Sequence, residues 1–157
     1  MKSNQKGFSL VELLVVVIII AIIAAIAIPN LLASRRAANQ AAAIGDLRTI
    51  HSAEIAYFST DGNNTGYATL ANLATKHLLD GSWTTGVIKN TYKFAESGVG
   101  TNGVYCVKAD PDAGDTISKR YAVSQDGTLY EAPNSGTLAC PATVDATVTG
   151  GTPVGAG

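Results

Sequence analysis

One carboxylate stands inside the most apolar stretch of the chain. Residues 8 to 28 are apolar except for Ser9 and Glu12. As a helix, at ~1.5 Å per residue, this stretch would be roughly 31 Å long, close to the ~30 Å hydrocarbon core of a bilayer. A carboxylate costs ~2.5–3.5 kcal/mol near the centre of a membrane helix and less near its end, so an ionisable residue there is a functional candidate that needs a partner. We therefore expect Glu12 to have a cationic partner.

Few cations are available near Glu12. Lys6 is one, and cleavage between Gly7 and Phe8 would create a second, the new α-amine at the start of the apolar stretch. The amine and the carboxylate would then be two halves of an ion pair, one of them produced by processing. The apolar stretch has two alternative interpretations. It could be a secretory signal peptide that is cut near Ala27, or a plain signal anchor that is not cut. The apolar stretch is longer than a signal peptide's, and an Ala-rich helical pattern continues beyond it.

The chain contains two cysteines, Cys106 and Cys140. If the protein is exported, an oxidising compartment favours a disulfide between them. The bond would close a loop of about 35 residues, worth ~4 kcal/mol in the chain-entropy model. Two separate buried thiols are the alternative.

The other polar residues form no recognisable catalytic or metal-binding motif. His51 falls on an apolar helical stripe, and His77 has no second His or Cys nearby, so zinc is not indicated. No Ser–His–Asp set, phosphate loop or pair of catalytic carboxylates can be assembled. Residues 110 to 115 hold three aspartates but lack the spacing and closing Glu of a calcium loop, which favours a solvated turn over a calcium site. We predict a protein that is not an enzyme and has no metal, cofactor or small-molecule substrate.

Composition narrows the class further. The 157 residues are 46% hydrophobic and 15% charged, with a formal net charge of −1. This length allows one domain with a modest core. No basic block suggests a nucleic-acid groove or an anionic-lipid patch.

A long helix is predicted to carry Glu12. The helical pattern runs from Phe8 to Ser59 and ends in the turn-forming residues 59 to 64. Pro29 lies within it and should bend or locally open the helix. The second half has an apolar stripe that we expect to pack on a globular head: Ile44, Leu47, His51, Ile55 and Phe58, with Ile50, Ala53 and Tyr57 beside it.

The head is predicted to be a small antiparallel sheet, which makes the fold α+β. A short helix is expected over residues 68 to 79. Strands are expected at residues 91–95, 103–109, 119–125 and 128–131. Asp126-Gly127 joins the last two strands and is a strong hairpin signal. Residues 141 to 157 are rich in Ser, Thr, Pro and Gly, and we expect loop or disorder there.

The run from Lys6 to Leu14, KGFSLVELL, resembles the processing site of type IV pilins and of the pseudopilins of type II secretion. Residues 25 to 31 are also similar to that family, and the likeness covers about a third of the chain, residues 6 to 58. The resemblance implies that a prepilin peptidase cuts after Gly7 and methylates the amine of Phe8. It implies that Glu12 aids subunit recruitment and neutralises a neighbour's amino terminus. In pilins a cysteine pair comparable to Cys106 and Cys140 encloses a C-terminal loop.

The resemblance also implies partners and location. A subunit would sit in the inner membrane as a single-pass protein, meet an assembly platform and its ATPase, and end in an extracellular homopolymer formed through the N-terminal helix. Independently of the resemblance, the donor that Pro29 lacks predicts a helix that is continuous or bent in the lone subunit and locally unwound near residues 25 to 35 in the filament, which gives Pro29 a part in assembly. The expected organisation is a cleaved leader, a membrane and assembly segment, an amphipathic half-helix, a head and a tail: residues 1–7, 8–28, 29–59, 60–140 and 141–157.

Three functions follow from these expectations. The first is a pilin of a type IV pilus that serves motility, adhesion or DNA uptake. The second is a pseudopilin of a secretion system, and the third is a monomeric, membrane-anchored binding domain. The cysteine pair and the tail favour the first, since major pseudopilins usually lack the disulfide and carry a calcium loop.

Overall fold

One long helix, α1, runs from Leu10 to Ser59 in the computed structural model, which describes residues 7–97, 103–143 and 146–155. The predicted helix is confirmed, except that it begins two residues later than Phe8. It contains Pro29 without interruption. The Ala and Leu residues of α1 are strong helix formers, whereas its many Val and Ile residues are weaker ones. At its end, a Cβ on Gly62 would lie 2.3 Å from the carbonyl oxygen of Gly66, so this tight turn requires glycine.

The chain divides into two compact units, with the boundary after Ala37. The part of α1 in the first unit exposes its aliphatic side chains almost throughout; Ile18 is 50% exposed and Ile26 is 66% exposed. The second unit contains the rest of α1, the short helix α2 (Leu70–Thr75) and every strand found among the described residues.

In the second unit, α1 buries one face against the sheet. The residues of α1 buried there are Ala43, Leu47, Ile50, Ala53 and Glu54. The predicted stripe is wrong at Ile55, which is 43% exposed. The buried positions follow steps of three and four residues, which is the spacing of a single helical face. The buried face contains an acidic residue, Glu54, which the apolar pattern passes over in favour of the next residue along the chain, Ile55.

The second unit contains a six-stranded sheet in which every neighbour is antiparallel and the strands follow chain order. Its strands are β1 (Ile88–Lys89), β2 (Tyr92–Ser97), β3 (Cys106–Pro111), β4 (Arg120–Ser124), β5 (Leu129–Ala132) and β6 (Thr152–Pro153). The four predicted strands are confirmed as β2 to β5 with shifted ends. The hairpin at Asp126-Gly127 is confirmed too, and Gly127 has the positive φ of 73° that its turn needs.

Alternate residues of the sheet face two hydrophobic clusters. One face packs with α1 and α2, and it includes Tyr92, Phe94, Val107, Ala109, Tyr121 and Val123. The second cluster packs Leu138 and Val148, from the segment after β5, against residues of the strands: Cys106, Ala122, Tyr130 and Ala132. The short helix α2 covers Leu70–Thr75, which is fewer residues than predicted.

The expectation of loop throughout residues 141 to 157 is wrong. Thr152–Pro153 forms β6 and pairs with β5, and Ala139 and Thr149 form an antiparallel bridge. Val148 is only 3% exposed. Two-residue strands and single bridges leave no periodic pattern in a sequence, so composition alone concealed them. Residues 144–145 and 156–157 of this predicted tail lie outside the described residues.

Candidate assembly site

Glu12 and Ser9 cap the first turn of α1. The Ser9 backbone N–H donates to Oε2 of Glu12 at 2.9 Å, and the Val11 N–H donates to Oγ of Ser9 at 3.3 Å. This reciprocal arrangement is a capping box, which satisfies two donors that the helix start would otherwise leave unpaired. Sequence analysis missed this role, although the Ser-x-x-Glu spacing before an apolar run is its recognised signal.

The predicted cleavage position lies just before this cap. Gly7 is exposed, and no atom of the described residues lies within 4 Å of the position that a Cβ would take, the glycine's chain neighbours aside. Phe8 is 79% exposed. Among the described residues, both sides of the peptide bond between Gly7 and Phe8 are therefore exposed. The rest of the predicted leader, residues 1–6, lies outside the described residues.

A shallow hollow of about 450 Å³ adjoins the cap. It is lined by side chains that share one side of the helix start: Phe8, Val11, Glu12, Val15 and Val16. Its surface is apolar apart from one carboxylate. Such a surface can take an apolar helix and, at Glu12, a positively charged group. Phe8 and Glu12 therefore line the same hollow, Gly7 directly precedes Phe8 in the chain, and Pro29 lies farther along α1.

Helix α1 has the length and composition of a membrane span. An 18-residue window of α1 reaches a mean hydropathy of 3.3, and none of it is buried. A signal sequence near an N-terminus has the same length and hydropathy, so these two properties are shared by membrane spans and signal sequences.

The backbone around Pro29 is weakened as a helix. Proline has no N–H, so the carbonyl of Ala25 loses its usual helical donor. Two side chains that follow Pro29 bond to helical carbonyls: Asn30 Nδ2 donates to the Ile26 oxygen at 3.2 Å, and Ser34 Oγ donates to the Asn30 oxygen at 3.0 Å. Such bonds compete with the regular ladder and often bend helices.

Cys106 and Cys140 are joined by a disulfide in the second unit, with Cα atoms 5.7 Å apart. The bond ties the segment after β5 to the start of β3. Cys106 is fully buried in the second hydrophobic cluster, beside Leu138 and Val148.

His51 and Asp110, two of the other polar residues singled out in the sequence, contact neighbouring side chains of the second unit. His51 is hydrogen-bonded through Nδ1 to the hydroxyl of Tyr105, and burial lowers the pKa of His51. Asp110 lies 3.6 Å from Nε of Arg120. Across residues 7–97, 103–143 and 146–155, no three His, Cys, Asp or Glu side chains are grouped so that they could hold a metal ion.

Comparison with known proteins places this arrangement in a family. A family model described as "Prokaryotic N-terminal methylation motif" matches residues 2–28. The type IV major fimbrial protein of Dichelobacter nodosus is 32% identical over 154 residues, which cover 93% of this chain and 94% of that protein. The chain belongs to the type IV pilin family.

A second relative of this pilin is the major component of the type IV wide pilus of Thermus thermophilus. It is 56% identical over 36 residues, 23% of this chain and 28% of that protein. No solved structure matches the chain significantly. This pilin has a long helix, Leu10–Ser59, and a small antiparallel sheet. Its sequence is similar to that of a major fimbrial protein over 93% of the chain.

Proposed function

We propose that this pilin is the structural subunit of a type IV pilus, a filament that serves motility, adhesion or DNA uptake. The supporting observation is the likeness to a major fimbrial protein over 93% of the chain. Such a subunit acts by its shape and contacts and has no catalytic task. The long likeness to a fimbrial protein favours this role over that of a secretion pseudopilin.

Processing is the first step of the proposal. A prepilin peptidase removes residues 1–7 by cutting between Gly7 and Phe8, and the new amine of Phe8 is methylated. The exposure of both residues supports this step, as does the N-terminal methylation motif that spans them. The mature chain then begins one residue before the Ser9 cap.

Membrane residence and assembly follow. Residues 8–28 hold the subunit in the inner membrane, residues 29–59 complete the helix, and residues 60–140 and 141–157 form the exported head and its C-terminal segment. The assembly platform and its ATPase then move the subunit into an extracellular homopolymer. In that polymer Glu12 of one copy pairs with the Phe8 amine of a neighbour, and Pro29 allows the helix to open.

Electron microscopy of negatively stained cells with and without the gene tests the proposal. Deletion should remove a class of surface filaments, and the wild-type gene should restore filaments that antibodies to the head decorate along their length. Unchanged filaments with loss of a secreted protein would instead indicate a pseudopilin. Unchanged filaments and secretion would indicate a monomeric anchored domain.

A further inference from the structure

A fully buried carboxylate, Glu54, lies in the head. It is 0% exposed and belongs to the face of α1 that packs in the core. Its Oε2 accepts the backbone N–H of Ala68 at 3.0 Å. Its Oε1 has no hydrogen-bond partner among the residues that the structure describes. A buried charge without a cation is costly, so the protonated form is favoured there.

A second carboxylate binds the same segment from the sheet. Oε2 of Glu96, on β2, accepts the Leu70 N–H at 2.5 Å, and its Oε1 accepts the hydroxyl of Thr85. Ala68 and Leu70 are two residues apart at the entry to α2, and both are buried. The segment is thus held from two sides by two acidic groups.

The charges around Glu54 work against its ionisation. Burial raises its pKa from 4.5 to about 8, the Ala68 hydrogen bond opposes that shift, and the nearby Glu96 adds to it. The hydroxyls of Tyr67 and Tyr105 also face this cluster, and burial raises the pKa of each. His51, one turn earlier on α1, is bonded to Tyr105 and has its pKa lowered by burial, so it offers little positive charge near neutral pH. Asp126, from the turn between β4 and β5, adds negative charge near His51 and Tyr105.

We propose that Glu54 and Glu96 form a proton-dependent latch, which holds residues 67–70 in the folded head while Glu54 is protonated and releases them when it ionises, because the buried charge is hydrated only when that segment opens. The charged carboxylate is the stronger acceptor for the Ala68 N–H, but the cost of burying the charge outweighs that gain. The latch concerns the connection from α1 to α2 and does not depend on the pilus function. A group whose pKa is raised on folding stabilises the closed state fully below its unfolded pKa. That stabilisation declines as pH rises and is lost by the folded pKa, so the working window runs from about pH 5 to about pH 8.

Hydrogen exchange measured by mass spectrometry on the full chain in detergent tests the latch. The protection of residues 67–70, corrected for the intrinsic exchange rate, should fall by up to about tenfold per pH unit across this window. The β3 and β4 backbone in the same sample serves as the reference and should keep its protection. Equal pH dependence in both regions, or none in residues 67–70, would overturn the proposal.

Two variants and one control separate the latch from general destabilisation. Glu54→Gln keeps an acceptor for the Ala68 N–H and cannot ionise, so protection should become flat with pH. Glu96→Gln removes the neighbouring charge and should move the upper end of the window below pH 8. Glu131→Gln, in the exposed pair with Lys119, should leave the wild-type profile unchanged. If Glu54→Gln does not fold, an unshifted window in Glu96→Gln would still contradict the proposal.

Discussion

In the single chain, Glu12 already accepts a hydrogen bond from the first turn of its own helix. The Ser9 N–H occupies one lone-pair site of the carboxylate, and a carboxylate has about four such sites. The same side chain can therefore cap α1 and accept a second donor, such as the amine of a processed Phe8. The cap is a local role that would persist in a lone subunit, whereas the ion pair requires a second copy.

Two substitutions at Glu12 separate these roles. Glu12→Ala removes both cap and charge, and Glu12→Gln keeps an acceptor for the Ser9 N–H without the charge. Both variants should enter the membrane at normal levels, because a neutral side chain lowers the cost of insertion. If pairing with the Phe8 amine drives assembly, both should nevertheless give at least about tenfold fewer filaments, because the charge that pairs with the amine is absent. Ser9→Ala is the matched control that weakens only the cap, by about 1 kcal/mol. Subunit in the membrane fraction and sheared filaments are both quantified by immunoblot, and normal piliation in Glu12→Gln would show that the charge is dispensable.

Sequence reasoning at the residue scale succeeded where the pattern was local. The apolar run and its single carboxylate drew attention to Glu12 without any tertiary information. Glu54 was missed for the opposite reason. An acidic residue is assigned to the solvent face by default, and only the packing of α1 on the sheet shows it fully buried.

At the scale of elements, Pro29 is the weak point of α1. The helix is unbroken there in the lone chain, although proline removes one ladder bond and side chains compete for two nearby carbonyls. In a filament, contacts between neighbouring helices replace lipid contacts, and the small residues of this segment allow close approach. We predict that residues 25–35 unwind locally in the filament, which would lengthen the subunit and let the polymer stretch under load.

A filament density map at side-chain resolution checks this prediction. Wild-type density should lose its α-helical path near Pro29. Pro29→Ala restores a donor to the Ala25 carbonyl and favours the helix by about 3 kcal/mol, so its filaments should keep the helix and stretch less under force. Unbroken helical density from Leu10 to Ser59 in the wild type would refute the idea.

The disulfide makes a separate prediction for the sheet. Cys106→Ser should lower the free energy of unfolding by about 2–5 kcal/mol, because it frees a long loop in the unfolded chain, and should reduce subunit abundance. Urea titration of the full chain in detergent measures the change. Reduction of the wild type should reproduce most of it and have no further effect on Cys106→Ser/Cys140→Ser. Free thiols in protein taken from the cell surface would contradict the prediction.

The long elements were predictable from sequence and the short ones were not. Helix α1 and strands β2 to β5 have periodic patterns or a turn signal such as Asp126-Gly127. Strands β1 and β6 have two residues each and exist because a neighbouring strand offers them hydrogen-bonding partners. The start of α2 depends on Thr69, whose side chain accepts the Asn72 N–H at 3.2 Å, and on Glu96 from β2, which accepts the Leu70 N–H.

At the scale of the whole molecule, the two units differ in how much of their apolar surface they bury. The second unit buries a core of its own, from Ala43 on α1 to Leu129 on β5. The first unit exposes a continuous aliphatic surface from Leu10 to Leu32, which water alone would not tolerate without association. In the proposed function, lipid covers that surface before assembly and identical helices cover it in a filament. A polymer of this pilin therefore explains why the first unit exposes so many aliphatic side chains.

The intact mass of the subunit in purified surface filaments tests this account most directly. Filaments sheared from cells and dissolved in detergent should contain a chain that begins at Phe8, lacks residues 1–7 and carries one additional methyl group. Reduction should add two hydrogens, because Cys106 and Cys140 are joined. A chain that begins after Ala27, or filaments that do not contain this protein, would contradict the account.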